Sequence, residues 1–146
     1  LLAKPLDIKL THGVDLIALG RLFEDLGNSG QALACYSRAL ELDLPADSFL
    51  NALSRLAALH KRRRDYQSAL PFWLEAARSG HIQSHVELAM FYEHHTRDFL
   101  SAESWTLQAI QLIKASQLPL YARNEALASL THRLNRIRRK IRSQST

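Results

Sequence analysis

The residues best suited to chemistry are four closely spaced histidines. His81 and His85 are four residues apart, and His94 and His95 follow them. Two imidazoles at positions i and i+4 of a helix can bind zinc. A zinc site also needs a third and a fourth ligand, held in place by surrounding hydrogen bonds. The histidine spacing alone therefore does not define a metal site.

Only Glu87 or Glu93 could complete such a site, and neither belongs to a recognisable metal-binding motif. We predict no metal and no cofactor. The alternative interpretation is that His85 caps or lines the start of a helix, while Glu93 and its neighbouring histidines are solvated near a turn.

Nucleophilic catalysis has still less support. Cys35 has no histidine near it in the predicted geometry, and there is no Gly-x-Ser-x-Gly motif or Gly-rich phosphate loop. We predict that Cys35 is a small buried apolar side chain. A lone cysteine forms no internal disulfide, so a cytoplasmic location is expected. We predict that the chain has no enzymatic activity of its own.

The charge is concentrated near the end of the sequence. From Tyr121 onward there are seven basic residues and one acidic residue, which gives this segment a net charge of +6. The net charge of the whole chain is +5, so the residues before Tyr121 have a net charge of −1. One further basic block, Lys61–Arg64, lies inside the chain. The candidates for phosphate contacts are Lys61, Arg62, Arg63, Arg64, Arg133, Arg136, Arg138, Arg139, Lys140 and Arg142.

These basic residues have two interpretations. They can neutralise the phosphates of a nucleic acid, or they can form a solvated helix face that pairs with acidic residues. The helix-end position of Lys61–Arg64 favours the solvated face, and the density of Arg133–Arg142 favours an anionic partner. Because no aromatic residues are interleaved, any nucleic-acid contact is expected to be backbone-directed.

A sequence pattern that occurs three times predicts the helices that position these residues. Alignment on Ala32, Ala69 and Ala102 places a second alanine seven residues later in every copy. An apolar stripe of helical spacing precedes each marker alanine, and a short polar turn separates the two stripes. Each copy is predicted to be a helical hairpin, with N-caps at Asn28, Asp65 and Asp98. Asp47 is a further predicted N-cap, for the first helix of copy two.

The first copy, from Leu16 through Gly20, Ala32 and Tyr36 to Ala39, resembles a tetratricopeptide repeat, and the other two copies are degenerate versions of it. The resemblance implies an all-α right-handed superhelix with a concave protein-binding groove. The expected groove positions are Arg21, Glu24, Asn51, Arg55, Arg62, Glu87 and Met90. Pro71 is expected to strain its helix without breaking it.

The predicted organisation has four parts. Residues 1–12 form an extension or linker, residues 13–46, 50–83 and 82–115 form the three repeats, residues 119–142 form a basic capping helix, and residues 143–146 form a tail. Leu127, Leu130, Leu134, Ile137 and Ile141 supply the apolar face of that capping helix.

A narrower resemblance concerns His85–Trp105 and His132–Lys140, which are similar to the C-terminal region of bacterial proteins with an upstream ribonuclease-H-like exonuclease domain. It implies that this chain is a fragment whose catalytic residues lie elsewhere. The leading functional hypothesis is a non-catalytic scaffold that binds a protein or peptide. We expect it to be a monomer or weak homodimer that does not bind a membrane. The alternative is an accessory nucleic-acid-binding module of such a nuclease.

Overall fold

The structure is a computed structural model that describes residues 13–145, and these residues form seven α-helices and no β-strand. The helices are α1 (Gly13–Asp25), α2 (Ser29–Leu40), α3 (Ala46–Arg62), α4 (Tyr66–Arg78), α5 (Ile82–His94), α6 (Phe99–Ala115) and α7 (Leu120–Gln144). They form hairpin 1 (α1 and α2), hairpin 2 (α3 and α4) and hairpin 3 (α5 and α6), followed by α7. The prediction of three helical hairpins and a final helix is confirmed. The predicted extension, residues 1–12, lies outside the described residues.

Polar side chains begin the second helix of each hairpin. Asn28, Asp65 and Asp98 each accept a hydrogen bond from the backbone amide three residues later, as predicted. The prediction that Asp47 caps α3 is wrong, because Pro45 is the N-cap residue and Asp47 lies in the first turn. Its carboxylate there suits the positive end of the helix dipole.

The turn inside each hairpin contains one residue with left-handed backbone geometry. Gly27, Arg64 and Arg97 hold this position, five residues before the marker alanine, with φ angles of 77°, 60° and 56°. In hairpins 1 and 2 the following amide bonds to the carbonyl five residues back, which closes a Schellman-type helix end. An L-amino acid in this conformation costs about 1–2 kcal/mol relative to glycine, so hairpins 2 and 3 carry backbone strain that hairpin 1 avoids.

The described part of the chain divides into two compact units, which separate between Ala76 and Ala77. In the first unit, buried side chains from α1, α2 and α3 form one cluster: Ile17, Ala32, Tyr36, Ala39, Ala52, Leu56 and Leu59. A Cβ atom at Gly20 would lie 2.7 Å from the Tyr36 ring, so glycine allows α1 and α2 to approach closely. Phe72 of α4 packs against this cluster and stacks on His60. As expected, α4 continues past Pro71.

In the second unit, α6 packs between α5 and α7. The side chains of Ala109, Ile110 and Ile113 on α6 contact Leu130 and Leu134 on α7. Ile137 of α7 is fully buried against the beginning of α6. Leu127 and Ile141, at the two ends of the predicted stripe, are partly buried against these clusters. The prediction that α7 covers the apolar face of hairpin 3 is therefore supported along the whole stripe.

Helix α7 has the same arrangement in its unit as α3 has in the first. Both helices begin directly after a proline, Pro45 for α3 and Pro119 for α7. Three of the five buried residues of α3, Ala52, Leu56 and Leu59, have the same intervals of four and three as the buried residues of α7, Leu130, Leu134 and Ile137. We conclude that α7 is equivalent to the first helix of a further hairpin.

Candidate functional site

A buried carboxylate on α5 organises the basic residues of α7. The side chain of Glu93 is fully buried, and it accepts hydrogen bonds from Arg133 (3.0 Å), Arg136 (2.7 and 2.9 Å) and Lys140 (2.8 Å). Arg136 uses both Nε and Nη2, which is the bidentate geometry preferred by guanidinium and carboxylate groups. We call Glu93, Arg133, Arg136 and Lys140 the Glu93 cluster.

The cluster determines the charge state of its carboxylate. Burial alone would raise the pKa of Glu93, but the hydrogen bonds from Arg136 and Lys140 outweigh it and lower the pKa to about 2. Glu93 is therefore ionised throughout the neutral range. The expectation that Glu93 is solvated beside its neighbouring histidines is wrong, because the residue points into the interface between α5 and α7 rather than toward water.

A second cluster of the same kind occurs in the first unit. The side chain of Glu24, near the end of α1, is 4% exposed and accepts bonds from Arg55 (3.0 Å from both Nε and Nη2) and Arg62 (2.7 Å) on α3. The Tyr36 hydroxyl also donates to it. Burial raises the pKa of Tyr36 to about 12, with a further contribution from this bond. We call these four residues the Glu24 cluster.

The two clusters occupy equivalent positions. Glu24 lies eight residues before its marker alanine, and Glu93 lies nine before its own because the turn of hairpin 3 has one extra residue. Arg55 and Arg62 are seven apart, as are Arg133 and Lys140. The sequence analysis missed this correspondence, although the recurring glutamate and the seven-residue spacing of the basic residues were visible signals.

His81, His85 and Cys35 have structural roles in the described chain. Nδ1 of His81 accepts a bond from the Ser84 amide, so His81 rather than His85 caps α5, and burial lowers its pKa. His85 is buried with its ring against the edge of Trp105. Cys35 is buried as predicted, and burial raises the pKa of its thiol. Residues 13–145 contain no group of three His, Cys, Asp or Glu side chains that could hold a metal ion.

The first unit has an open pocket of about 410 Å³ between α1 and α3. Val14, Ile17 and Ala18 supply apolar surface, while Arg21, Asp47, Ser48 and Asn51 supply polar groups. Oδ1 of Asn51 is buried and has no hydrogen-bond partner among residues 13–145. A buried amide oxygen without a partner costs about 1–3 kcal/mol.

The other predicted groove residues lie in different surroundings. Glu24, Arg55 and Arg62 belong to the Glu24 cluster, so their side chains already have partners. Glu87 and Met90 lie half-buried on α5 of the second unit. The pocket therefore contains two of the predicted groove residues, Arg21 and Asn51.

The predicted phosphate contacts also separate into paired and unpaired cations. Besides the Glu93 cluster, Arg138 pairs with Glu103 at 2.8 Å, and Arg63 donates to the Ser29 hydroxyl. Arg139 and Arg142 are exposed on α7, and neither has an acidic partner in the described part of the chain. Arg64 is exposed at the left-handed turn position of hairpin 2.

A second pocket, of about 360 Å³, lies where the turn between α5 and α6 meets the end of α7. Arg97, Arg136, Arg139 and Lys140 line it together with Phe99. Arg97 and Lys140 both lie over the Phe99 ring, at 5.1 and 5.6 Å from its centroid. The sequence analysis did not single out Arg97 or Phe99.

The described helices and their buried marker alanines form repeated helical hairpins. The chain is similar to human protein O-mannosyl-transferase TMTC1, with 30% identity over 125 residues that cover 78% of this chain and 13% of that protein. It therefore spans about one eighth of the length of this curated relative. No family model matches the chain. The link to ribonuclease-H-like exonucleases is not found and remains a hypothesis.

None of the helices within residues 13–145 combines the length and the apolar character needed to cross a bilayer.

Proposed function

We propose that this chain is a non-catalytic helical-repeat module that binds an extended segment of a protein partner in the pocket between α1 and α3. The observation that carries the proposal is the mixed polar and apolar lining of this pocket. The lining includes Asn51, whose buried Oδ1 has no hydrogen-bond partner among residues 13–145. Rotation of the Asn51 side chain toward the pocket would let a peptide amide donate to that oxygen. The Arg21 guanidinium would pair with an acidic side chain or a terminal carboxylate.

The composition of the pocket supports a peptide. Recognition of small ligands and peptides usually combines apolar contact with a few fixed polar groups. Val14 is 50% exposed beside Ile17, so an apolar side chain of the partner would gain contact there. The module is expected to act in the cytoplasm as a monomer or weak homodimer. The transferase activity in the name of the human relative is not part of this proposal.

The alternative function, a nucleic-acid-binding module, depends on free cations along α7. Arg133, Arg136 and Lys140 share one buried carboxylate, and Arg138 pairs with Glu103. These pairs leave fewer cations for a phosphate backbone than the sequence alone implied. The protein-binding function is therefore the better supported of the two.

The test is selection of peptides from a displayed library on the immobilised chain, followed by calorimetric titration of the selected peptide. We expect Arg21→Glu to weaken binding at least about tenfold, equivalent to about 1.4 kcal/mol. Lys114→Glu, an exposed charge reversal on α6, is the matched control and should leave binding unchanged.

Asn51→Ala separates binding from folding. Removal of an amide whose buried oxygen has no partner among residues 13–145 should leave the free energy of unfolding unchanged or slightly higher, while peptide binding falls. Equal loss with Lys114→Glu, or no loss with either pocket variant, would contradict the proposed site. Binding of a labelled oligonucleotide that weakens steeply between about 50 and 200 mM salt would instead support the nucleic-acid alternative.

A further inference from the structure

The pocket beside α7 holds more positive charge than its neighbours neutralise. Four cations line it: Arg97, Arg136, Arg139 and Lys140. Arg136 and Lys140 share the single carboxylate of Glu93 with Arg133. Arg97 and Arg139 have no acidic partner among residues 13–145. An anion that enters this pocket would therefore meet at least two uncompensated guanidinium groups.

The backbone at Arg97 strengthens this observation. Its φ of 56° belongs to the left-handed region, where glycine is preferred, and hairpin 1 has Gly27 at the equivalent position. Strained backbone of this kind persists where surrounding contacts maintain it, and it is enriched at functional sites. Here the strained residue places a guanidinium 5.1 Å above the Phe99 ring at the edge of the pocket. Arg64 has the same strain in hairpin 2 but does not line this pocket.

The arrangement of the cations indicates which anion fits. They come from two elements, the α5–α6 turn and the last turns of α7, and they converge on one pocket. A phosphodiester backbone carries single charges at regular intervals and needs a track of cations. A phosphomonoester concentrates a charge of about −1.5 to −2 and three strong acceptor oxygens on one group, which suits converging guanidinium donors.

We infer that this pocket, bounded by Arg97, Phe99, Arg136, Arg139 and Lys140, binds a single phosphomonoester group. The site is separate from the pocket between α1 and α3, so it goes beyond the proposed function and can fail independently of it. Arg97 and Arg139 would donate to the phosphate oxygens. Lys140 and Arg136 would remain on Glu93 and hold the end of α7 in place.

The experiment is an NMR titration of the ¹⁵N-labelled chain with a neutral Gly/Ala peptide that contains one phosphoserine. Four other ligands are titrated in parallel. Two are versions of the same peptide, one with unmodified serine and one with glutamate in place of phosphoserine. The others are inorganic phosphate and an oligonucleotide that has no terminal phosphate. We expect the amides of the α5–α6 turn and the end of α7 to shift with the phosphopeptide and not with the serine peptide. Binding of inorganic phosphate at the same amides identifies a small phosphate as sufficient, whereas binding of the phosphopeptide alone identifies a phosphorylated protein segment.

Arg97→Gly is the decisive variant because glycine suits the local backbone. It should leave the melting temperature unchanged or raised while phosphopeptide affinity falls at least about fivefold. Arg64→Gly relieves the same strain outside the pocket and should leave affinity unchanged. Equal affinity of wild type and Arg97→Gly, equal binding of the glutamate peptide, or tighter binding of the oligonucleotide would overturn the inference.

Discussion

At the scale of single residues, two glutamates are buried in helix interfaces, where basic side chains pair with them. Glu24 and Glu93 each lie near the end of a hairpin's first helix, and each accepts bonds from arginines on the helix that follows the hairpin. Removal of one partner from a buried ion pair costs more than the pair itself contributes, because the remaining charge is left uncompensated. These two carboxylates should therefore be among the most sensitive polar positions.

We predict that Glu93→Gln lowers the free energy of unfolding by about 3 kcal/mol. Three cations would then face a neutral amide in the interface between α5 and α7. Urea denaturation followed by circular dichroism measures the change. Glu103→Gln removes the more exposed pair with Arg138 and should cost less than about 1 kcal/mol. Similar losses in the two variants would show that burial of Glu93 does not matter.

The lowered pKa of Glu93 gives a defined pH dependence. Since its folded pKa of about 2 lies below the reference value of 4.5, its contribution is fully present above about pH 4.5 and is lost as pH falls toward 2. At neutral pH this contribution is about 3 kcal/mol. Melting temperatures measured between pH 5 and 2.5 should fall more steeply for wild type than for Glu93→Gln. Parallel curves would contradict the assignment.

At the scale of elements, the two helices of hairpin 1 are held close by one glycine. A Cβ atom at Gly20 would meet the ring of Tyr36 at 2.7 Å, and that ring is buried and bonded to Glu24. The ring cannot move aside without loss of its hydrogen bond. Gly30, in the first turn of α2, has only one heavy atom of another residue within 4 Å of its added Cβ, Oδ1 of Asn28 at 3.9 Å.

We predict opposite effects of alanine at these two glycines. Gly20→Ala should lower the free energy of unfolding by about 1–3 kcal/mol through overpacking. Gly30→Ala should raise it by up to about 1 kcal/mol, because alanine is the better helix former. Urea denaturation of the two variants measures both changes. A neutral Gly20→Ala would mean that α1 and α2 separate easily.

At the scale of the whole molecule, each of the two units contains a hairpin covered by the helix that follows it. In the second unit this helix is α7, which covers Ile110, Ile113 and Phe99 of α6 and supplies every cation of the Glu93 cluster. An array of repeats exposes its apolar interfaces unless its last element is covered.

Deletion of residues 120–146 should therefore lower the melting temperature and cause self-association. It exposes the apolar face of α6 and leaves Glu93 without its three cations. Calorimetry and size-exclusion chromatography with light scattering measure the two effects. Deletion of residues 144–146 is the control and should change neither. An unchanged, monomeric product of the longer deletion would refute the covering role of α7.

Local spacing made most of the fold predictable from sequence. The marker alanines, the apolar stripe of α7 and the caps at Asn28, Asp65 and Asp98 each depend on residues within two turns of one another. The Glu93 cluster depends on pairs 40 to 47 residues apart, which only a comparison between the repeats could have indicated. The pocket at Arg97 was missed for the same reason, since a turn and a distant helix end form it together.

The equivalence of the two clusters also bears on how the chain avoids stacking its helices in the wrong order. Hairpins 1 and 3 present glutamate to the next helix, but hairpin 2 has Lys61 at the corresponding position. If α7 docked on hairpin 2 during folding, Arg133 and Arg136 would approach a lysine instead of Glu93. Repeat proteins are prone to such mispairing because their hairpins are alike in shape. Charge thus distinguishes hairpin 2 from hairpins 1 and 3, which share the glutamate.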